Sequence, residues 1–221
     1  MTPRLLLLPI LLLSLPAMAE EREWVPYKKL LEVSRMDKFF ALPAAERDKL
    51  DMFVHLTPAS KQLAMRDVAL TLVHGGVRTP LPINAEGNLH LPLNQAWIAG
   101  DARIMTNQPA ESKVSIGPGM NALVPAGTQW QYAALMGSVP QSNAAIGKIA
   151  GAFSLFAPTI RSVILKFEQP AQVSIQSRSG VKQYATDGKH QIRLKPDSAL
   201  LAENPAMTLS SRPREAELDT E

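Results

Sequence analysis

One phrase occurs twice in this chain, and the repetition limits the possible folds more than any other feature of the sequence. The stretch NLHLPLNQAWIAGDARIM, residues 88–105, is followed 103 residues later by QIRLKPDSALLAENPAMT, residues 191–208. The two stretches share few identities but one pattern, in which a Leu, a Pro and an apolar run lead to Asp101 in the first and Asn204 in the second. Because a structural repeat is inherited as a whole unit, this pattern predicts a duplicated fold.

The segments that flank the phrase favour the same interpretation. DMFVHLTP at 51–58 aligns with VILKFEQP at 163–170, and each is an alternating run that ends at a proline. Further along, Gly76 aligns with Gly180, and both follow a strand-like segment. The sequence therefore predicts two units that share one architecture.

The predicted organisation has five segments. In chain order they are a signal peptide at 1–19, a first unit at 20–109 with its β body from about 51, a connector at 110–129, a second unit at 130–213 with its β body from about 160, and a tail at 214–221. The tail is polar and acidic without an apolar period, so we expect it to be disordered.

Period-two alternation gives the strands of each unit. The predicted strands centre on residues 52–56, 68–72, 89–93 and 102–104 in the first unit, and on 163–167, 173–175, 192–194 and 207–209 in the second. Short strands with turn signals about every ten residues are typical of small antiparallel sandwiches. The predicted fold class is thus mainly β with α (α+β), with two tandem small β-sandwich units of an immunoglobulin-like or transthyretin-like kind and helical lead-ins.

Helices are predicted from the 3.6-residue period. The first begins at Tyr27 and the second at Pro43, and a third runs over 142–156 with the small-residue motif Gly147-x-x-x-Gly151. Small residues let backbones approach closely, so the third helix is either membrane-contacting or packed between the two β bodies. With about 15 residues it is too short to span a bilayer.

The first 19 residues have the three parts of a secretory signal peptide. Arg4 precedes an apolar run, and Ala17 and Ala19 flank Met18 as an A-x-A cleavage site. We expect cleavage after Ala19 and a periplasmic protein. The chain has no Cys, so no disulfide contributes to its stability. Lys and Arg total 23 against 20 Asp and Glu, with no dense basic run, and this balance argues against a nucleic-acid partner.

Metal and cofactor chemistry is not indicated by the histidines. His55, His74, His90 and His190 are not followed at i+2 or i+4 by another histidine or a carboxylate. Cys ligands are unavailable as well. His55 and His90 fall at the polar positions of alternating strands, where we expect a surface-facing imidazole. No metal site and no cofactor are predicted.

Catalytic motifs are missing too. No G-x-S-x-G turn is present for a serine nucleophile. The Gly-rich VSIGPGM at 114–120 lacks the Lys-Ser/Thr of a phosphate loop and is interpreted as a turn. Loop carboxylates such as Asp101 and Asp187 form an acid pair only if the fold brings them together. The sequence predicts no catalytic residue and favours a protein that is not an enzyme.

The aromatic residues are few and take equivalent places in the two units. Trp24 and Tyr27 open the first helical lead-in, and Trp130 and Tyr132 open the second. A carbohydrate-binding face normally shows a row of aromatic rings on one sheet. We therefore interpret these four residues as packing anchors of the repeat.

With the signal peptide, the helical lead-in and the phrase LPINAEGNLHLPLNQAWIAGDARIMTNQP at 81–109 in place, the chain resembles exported proteins of Proteobacteria that form a family of unknown function. The resemblance implies export and implies no activity, cofactor or catalytic residue.

The leading functional expectation is a non-enzymatic binding or structural protein of the cell envelope. It would bind another envelope protein or a glycan through a sheet edge or loops, because small β-sandwiches commonly act in this way. One alternative is a hydrolase or lyase on envelope polysaccharide that uses Asp101 and Asp187. A second is a membrane-apposed accessory protein that uses residues 142–156. The sequence indicates neither the binding residues nor the oligomeric state.

Overall fold

The computed structural model describes residues 21–60, 63–151 and 157–221, and the predicted signal peptide at 1–19 lies outside them. Antiparallel strands form three open sheets, and short helices pack against them. The predicted α+β class with a sandwich-like arrangement of sheets is confirmed.

The two halves of the chain contain the same strands and α-helices in the same order. The first repeat consists of β1 (Arg22–Pro26), α1 (Tyr27–Val33), α2 (Met36–Ala41), β2 (Leu50–Pro58), β3 (Leu70–His74), β4 (Val77–Leu81), β5 (Asn88–Leu89), α3 (Gln95–Ala99), β6 (Arg103–Thr106) and β7 (Val114–Ala122). The second repeat consists of β8 (Gln129–Gln131), α4 (Tyr132–Met136), α5 (Ser138–Ala150), β9 (Ser162–Lys166), β10 (Gln172–Ser177), β11 (Gly180–Ala185), β12 (Gln191–Leu194), α6 (Ser198–Glu203), β13 (Ala206–Leu209) and β14 (Glu215–Asp219).

The sheets show the duplication as a pseudo-twofold symmetry. Each repeat has its own four-stranded sheet, in the order β1-β6-β3-β4 and β8-β13-β10-β11. The remaining strands form one six-stranded sheet in the order β5-β2-β7-β14-β9-β12. Its first three strands, counted from one edge, are the counterparts of the first three counted from the other edge. The axis passes between β7 and β14, which pair antiparallel with Asn121 opposite Glu217.

The six-stranded sheet has one apolar face and one polar face because its strands alternate. In β2, Met52 and Leu56 are buried toward the core, whereas Asp51 and His55 lie on the opposite side. We call this opposite side the outer face. Antiparallel sheets commonly bury one face and leave the other in solvent.

Each repeat has its own hydrophobic core, and the two cores meet at the six-stranded sheet. Leu30 is fully buried in the first core and Leu165 in the second. Ala145 of α5, a second-repeat helix, is buried in the first core, and Leu218 of β14 packs against both. The repeats are therefore joined by packing as well as by strand pairing.

The repeated phrase is the segment that ties each helical lead-in to its sheet. The Tyr27 hydroxyl donates to the carbonyl of Pro92 and accepts from the N–H of Asn94 at 3.3 Å. The Asn94 side chain in turn caps α3, because its Oδ1 accepts from the N–H groups of Ala96 and Trp97. One tyrosine thus fixes the turn that precedes the helix.

The second repeat makes the same bonds with different side chains. The Tyr132 hydroxyl donates to the carbonyl of Lys195 at 3.4 Å and accepts from the N–H of Asp197 at 3.1 Å. Asp197 Oδ1 caps α6 by accepting from the N–H groups of Ala199 and Leu200. Burial raises the pKa of both tyrosine hydroxyls, as expected for packing anchors.

This equivalence gives a matched test of the cap. We expect Asn94→Ala to lower the free energy of unfolding by about 1 kcal/mol, because two N–H groups at the start of α3 lose their acceptor. Asn94→Asp should change it by less than half as much, since aspartate already caps α6 in the second repeat. Urea unfolding of the two variants measures both effects. Equal losses in both variants would contradict a capping role.

Two predicted boundaries are wrong. The predicted connector at 110–129 contains β7, a nine-residue strand that pairs along the whole of β2. Its VSIGPGM segment is therefore strand rather than turn. The predicted disordered tail at 214–221 contains β14, which pairs with β9 over Glu215–Asp219. Both strands were missed because Gly117, Pro118 and Gly119 interrupt the alternation of β7 and are typical of turns, and because acids occupy every second position of β14.

The predicted alignment of the repeats also slips by one residue in two places. The hairpin pairs His74 with Val77 and Ser177 with Gly180, so the counterpart of Gly180 is Val77 rather than Gly76.

A slip of the same size affects the strands that follow the lead-ins. Val54 pairs with Leu89 and Leu165 with Ile192, which makes Leu165 the counterpart of Val54. The predicted alignment of 51–58 with 163–170 placed that counterpart one residue later. A one-residue slip turns every side chain to the other face of a sheet, so only the structure fixes which positions match.

The helices differ from their predicted bounds. Instead of a helix from Pro43, there is a single 3₁₀ turn at Ala44–Glu46, and α2 precedes it. The third helix, α5, begins at Ser138 rather than 142, and residues 152–156 of the predicted helix lie outside the described residues. None of the helices in the described part of the chain combines the length and apolarity needed to cross a membrane.

Candidate functional site

Two of the four histidines are hydrogen bonded to polar side chains of the first repeat. His55 and His90 lie on the outer face, where His55 Nδ1 is 2.7 Å from Asn88 Oδ1 and His90 Nδ1 is 3.2 Å from Asp51 Oδ1. The hydrogen bond to Asp51 raises the pKa of His90. Within residues 21–60, 63–151 and 157–221, no three histidine, aspartate or glutamate side chains are grouped closely enough to hold a metal ion.

The two loop aspartates named for a hydrolase each have a local structural task. Asp187 accepts from the backbone N–H groups of Gln191 and Lys189, and these bonds lower its pKa. A general acid needs a raised pKa instead. Asp101 has a left-handed backbone with φ of 53° and pairs with Arg103 at 3.1 Å. The fold uses these two residues in turns of different repeats.

A polar cleft opens on the outer face where the two repeats meet. It has a volume of about 450 Å³ and lies between the 84–90 turn of the first repeat and residues 212–216 of the second. Its charges largely neutralise one another. Arg214 contacts Glu86 at 2.6 Å, and Asn121 donates to Glu215 at 2.7 Å.

A lysine next to the cleft forms ion pairs with two glutamates of β14. Lys166 lies 3.0 Å from Glu215 and 2.6 Å from Glu217. Burial acts to lower its pKa, but the hydrogen bonds of the two glutamates outweigh burial, and the pKa is raised. Ion pairs of this kind hold β9 against β14.

The free edge of β11 is the feature that offers an unused binding geometry. Antiparallel pairs alternate between residues whose main-chain groups face the partner and residues whose groups face away. The N–H of Thr186 donates to the carbonyl of Ala171 at 3.0 Å, which sets this alternation for β11 against β10. The groups that face away from β10 belong to Val181, Gln183 and Ala185. We call these three residues the β11 edge.

The equivalent edge in the first repeat is closed by a proline. The N–H of Asn107 donates to the carbonyl of Ala69 at 3.3 Å, so the odd-numbered residues of β3 face β6 and the even-numbered ones face β4. It follows that Arg78 and Pro80 face away from β3. Pro80 has no N–H to offer, and proline on an edge strand is a common protection against strand addition.

The two edges can be compared position by position. Pro80 pairs with Thr71 and Gln183 pairs with Ser174, so Gln183 is the counterpart of Pro80 at the 103-residue spacing. Within the described residues, no strand pairs with the outer side of β4 or of β11. One repeat thus carries a blocked edge, and the other carries an open edge at the same place.

The open edge is held rigidly from behind. All six residues of β11 pair with β10, and Tyr184 packs against the second core. Lys182 pairs with Asp197 at 3.2 Å, which ties the strand to the cap of α6. In contrast, Val181 is 51% exposed, a high value for a large apolar side chain. The edge is therefore pre-formed and accessible.

Searches of protein-family models, curated proteins and solved structures found no match to the chain.

The sequence predicts binding through a sheet edge or loops but does not indicate β11 as that edge. The signal was present, because the comparison of residue 80 with residue 183 needs only the 103-residue spacing. It was not used because neither β4 nor β11 was recognised as a strand.

Proposed function

We propose that this protein is a non-enzymatic binding module of the bacterial cell envelope that binds an extended segment of another envelope protein. The segment adds to the second four-stranded sheet as a fifth strand next to β11. The predicted signal peptide and the resemblance to exported proteins support the envelope location.

The observation that carries the proposal is the contrast between Pro80 and Gln183. An open edge strand favours aggregation, and proteins usually protect such edges. This chain protects β4 with a proline at an outward-facing position and presents an N–H at the equivalent position of β11. An edge left open in one repeat and closed in the other is expected of a strand that takes a partner.

Strand addition suits the chemistry of this edge. Val181, Gln183 and Ala185 each present an N–H and a carbonyl, so an incoming backbone can make a ladder of main-chain hydrogen bonds. Their side chains are short or medium in size and uncharged. Affinity would come from the main chain, and selectivity would come from alternate side chains of the bound segment.

The proposal predicts which substitution abolishes binding. We place a photo-reactive amino acid at Val181 in intact cells. A second one at Arg78, which lies 103 residues earlier at the equivalent outward-facing position of β4, is the matched control. A discrete adduct is expected from residue 181 and not from residue 78. Gln183→Pro should lower the yield of the adduct at least tenfold, because it deletes one main-chain donor and prevents a strand from pairing there. Gln183→Thr keeps the donor and should retain the adduct.

Two readouts separate this prediction from a folding defect. Pro80 shows that the fold accepts proline at this position, so we expect Gln183→Pro to keep the wild-type circular dichroism spectrum. In the free protein, the amide protons of Val181, Gln183 and Ala185 should exchange fast and those of Lys182 and Tyr184 slowly. The purified adduct should protect the first three. An adduct that persists in Gln183→Pro, or unchanged exchange at these amides, would refute strand addition.

A further inference from the structure

An apolar slot lies between α5 and the inward face of the six-stranded sheet. It has a volume of about 480 Å³. Among the described residues, its walls come from β2, β7, α5 and the segment that follows α5, and the principal lining side chains are Met52, Met120, Ile146, Ile149, Pro158 and Ile160. The slot lies on the opposite side of the sheet from the polar cleft, and it is independent of the β11 edge.

The size and lining of the slot set it apart from a packing defect. Voids inside well-packed proteins are few and seldom larger than a water molecule. Pockets that hold small molecules commonly have volumes of about 300–1,000 Å³ and mostly apolar walls. A space of this size with hydrocarbon and thioether walls favours an alkyl chain, because such walls offer no hydrogen-bond partners to a polar ligand.

Among the described residues that line the slot, Arg35 is the one that carries a charge, and it lies at the junction of α1 and α2. Its side chain is exposed, which places it at the solvent end, and no carboxylate among the described residues pairs with it. Its backbone has a left-handed φ of 62°, a conformation that favours glycine or asparagine. An arginine at such a position is costly, and here its guanidinium borders an apolar opening.

From this geometry we propose that the slot binds a single-chain anionic amphiphile, with its alkyl chain between α5 and the sheet and its carboxylate on Arg35. An unpaired guanidinium is the natural partner of a carboxylate, with which it can form two parallel hydrogen bonds. A neutral lipid would leave Arg35 unused, and a compact anion would leave the slot empty. The chemistry of a long-chain carboxylate matches both parts.

Dodecanoate is the ligand for the test, used below the concentration at which it forms micelles. The mature chain from Glu20 is titrated with sodium dodecanoate and with dodecanol by calorimetry. Dodecanoate is expected to bind at one site, and dodecanol to bind about tenfold or more weakly, since it lacks the charge that engages Arg35.

Substitutions divide the site into its two parts. Arg35→Gln should weaken dodecanoate about tenfold and leave dodecanol unchanged. Ile149→Trp, which fills the slot from α5, should abolish the binding of both. Lys195→Gln, which removes an exposed cation that does not line the slot, serves as the matched control and should change neither. Circular dichroism checks that each variant is folded.

Each contrary result overturns the proposal. Equal affinity of dodecanoate for the wild type and Arg35→Gln would remove the role of the guanidinium. Binding that survives Ile149→Trp would place the ligand elsewhere. If neither ligand binds the wild type, the slot is not a ligand site, and occupation by this chain itself becomes the explanation.

Discussion

A chain that ends at Arg214 is expected not to fold. Residues 215–221 carry β14, which pairs with β9 over five residues and meets β7 at the pseudo-twofold axis. Ala216 is 1% exposed, and Leu218 packs against both cores. Without β14, β9 and β7 lose their shared neighbour in the middle of the six-stranded sheet. The loss should exceed about 5 kcal/mol, which is comparable to the whole stability of a typical domain.

Circular dichroism and size-exclusion chromatography of the truncated chain measure this effect. The control ends at Asp219 and lacks Thr220 and Glu221, which follow the strand. Its free energy of unfolding should lie within about 0.5 kcal/mol of that of the full chain, because the exposed ion pair between Glu221 and Arg193 contributes little. A folded chain that ends at Arg214 would show that the sheet does not need β14.

Leu165→Ala is expected to lower the free energy of unfolding by about 3 kcal/mol. Leu165 is fully buried in β9, between β12 and β14, and belongs to the second core. Its replacement removes buried hydrocarbon and leaves a cavity that neighbouring strands cannot close, a combination that costs about 2–5 kcal/mol in protein cores.

Denaturant unfolding followed by fluorescence tests this value, with Trp130 reporting on the same core. Val33→Ala is the control, because Val33 is 46% exposed and its truncation should change the stability by less than about 0.5 kcal/mol. If both variants lost the same stability, burial of Leu165 would not be the cause.

The duplication could be predicted because its anchors are chemically distinctive. Tyr27 and Tyr132 each reach across to the repeated phrase, and Asn94 and Asp197 cap equivalent helices. These side chains make equivalent hydrogen bonds in the two repeats, so similar residues occur at similar spacings in both halves of the sequence. The paired strands near the cores also kept their alternation and were predicted.

The strands at the axis could not be predicted in the same way. In β7, Gly119 lies opposite Phe53, and a Cβ at residue 119 would approach the Phe53 ring to 2.1 Å. The glycine is therefore required by a side chain on the neighbouring strand, although in the sequence it resembles part of a turn. In β14, Ala216 and Leu218 alternate with acids whose partner Lys166 lies about 50 residues earlier. Long-range pairing of this kind leaves no local signal.

The candidate sites differ in the same respect. The β11 edge follows from the sequence once the repeat and the hairpin register are known, since Pro80 and Gln183 can then be compared directly. The apolar slot does not. It depends on how α5 rests against β2 and β7, and on the left-handed backbone that places Arg35 beside it. Hydrophobic periodicity predicts neither the distance between α5 and the sheet nor the left-handed backbone conformation of Arg35.

The antiparallel pairing of β7 with β14 has the form of an isologous contact between two subunits. Equivalent strands of the two repeats pair antiparallel across the axis, with Asn121 opposite Glu217, as in the interface of a symmetric homodimer. Here the two halves are covalently linked, so each finds the other at a high effective concentration set by the linker. The stability of this interface is consequently independent of how dilute the protein is.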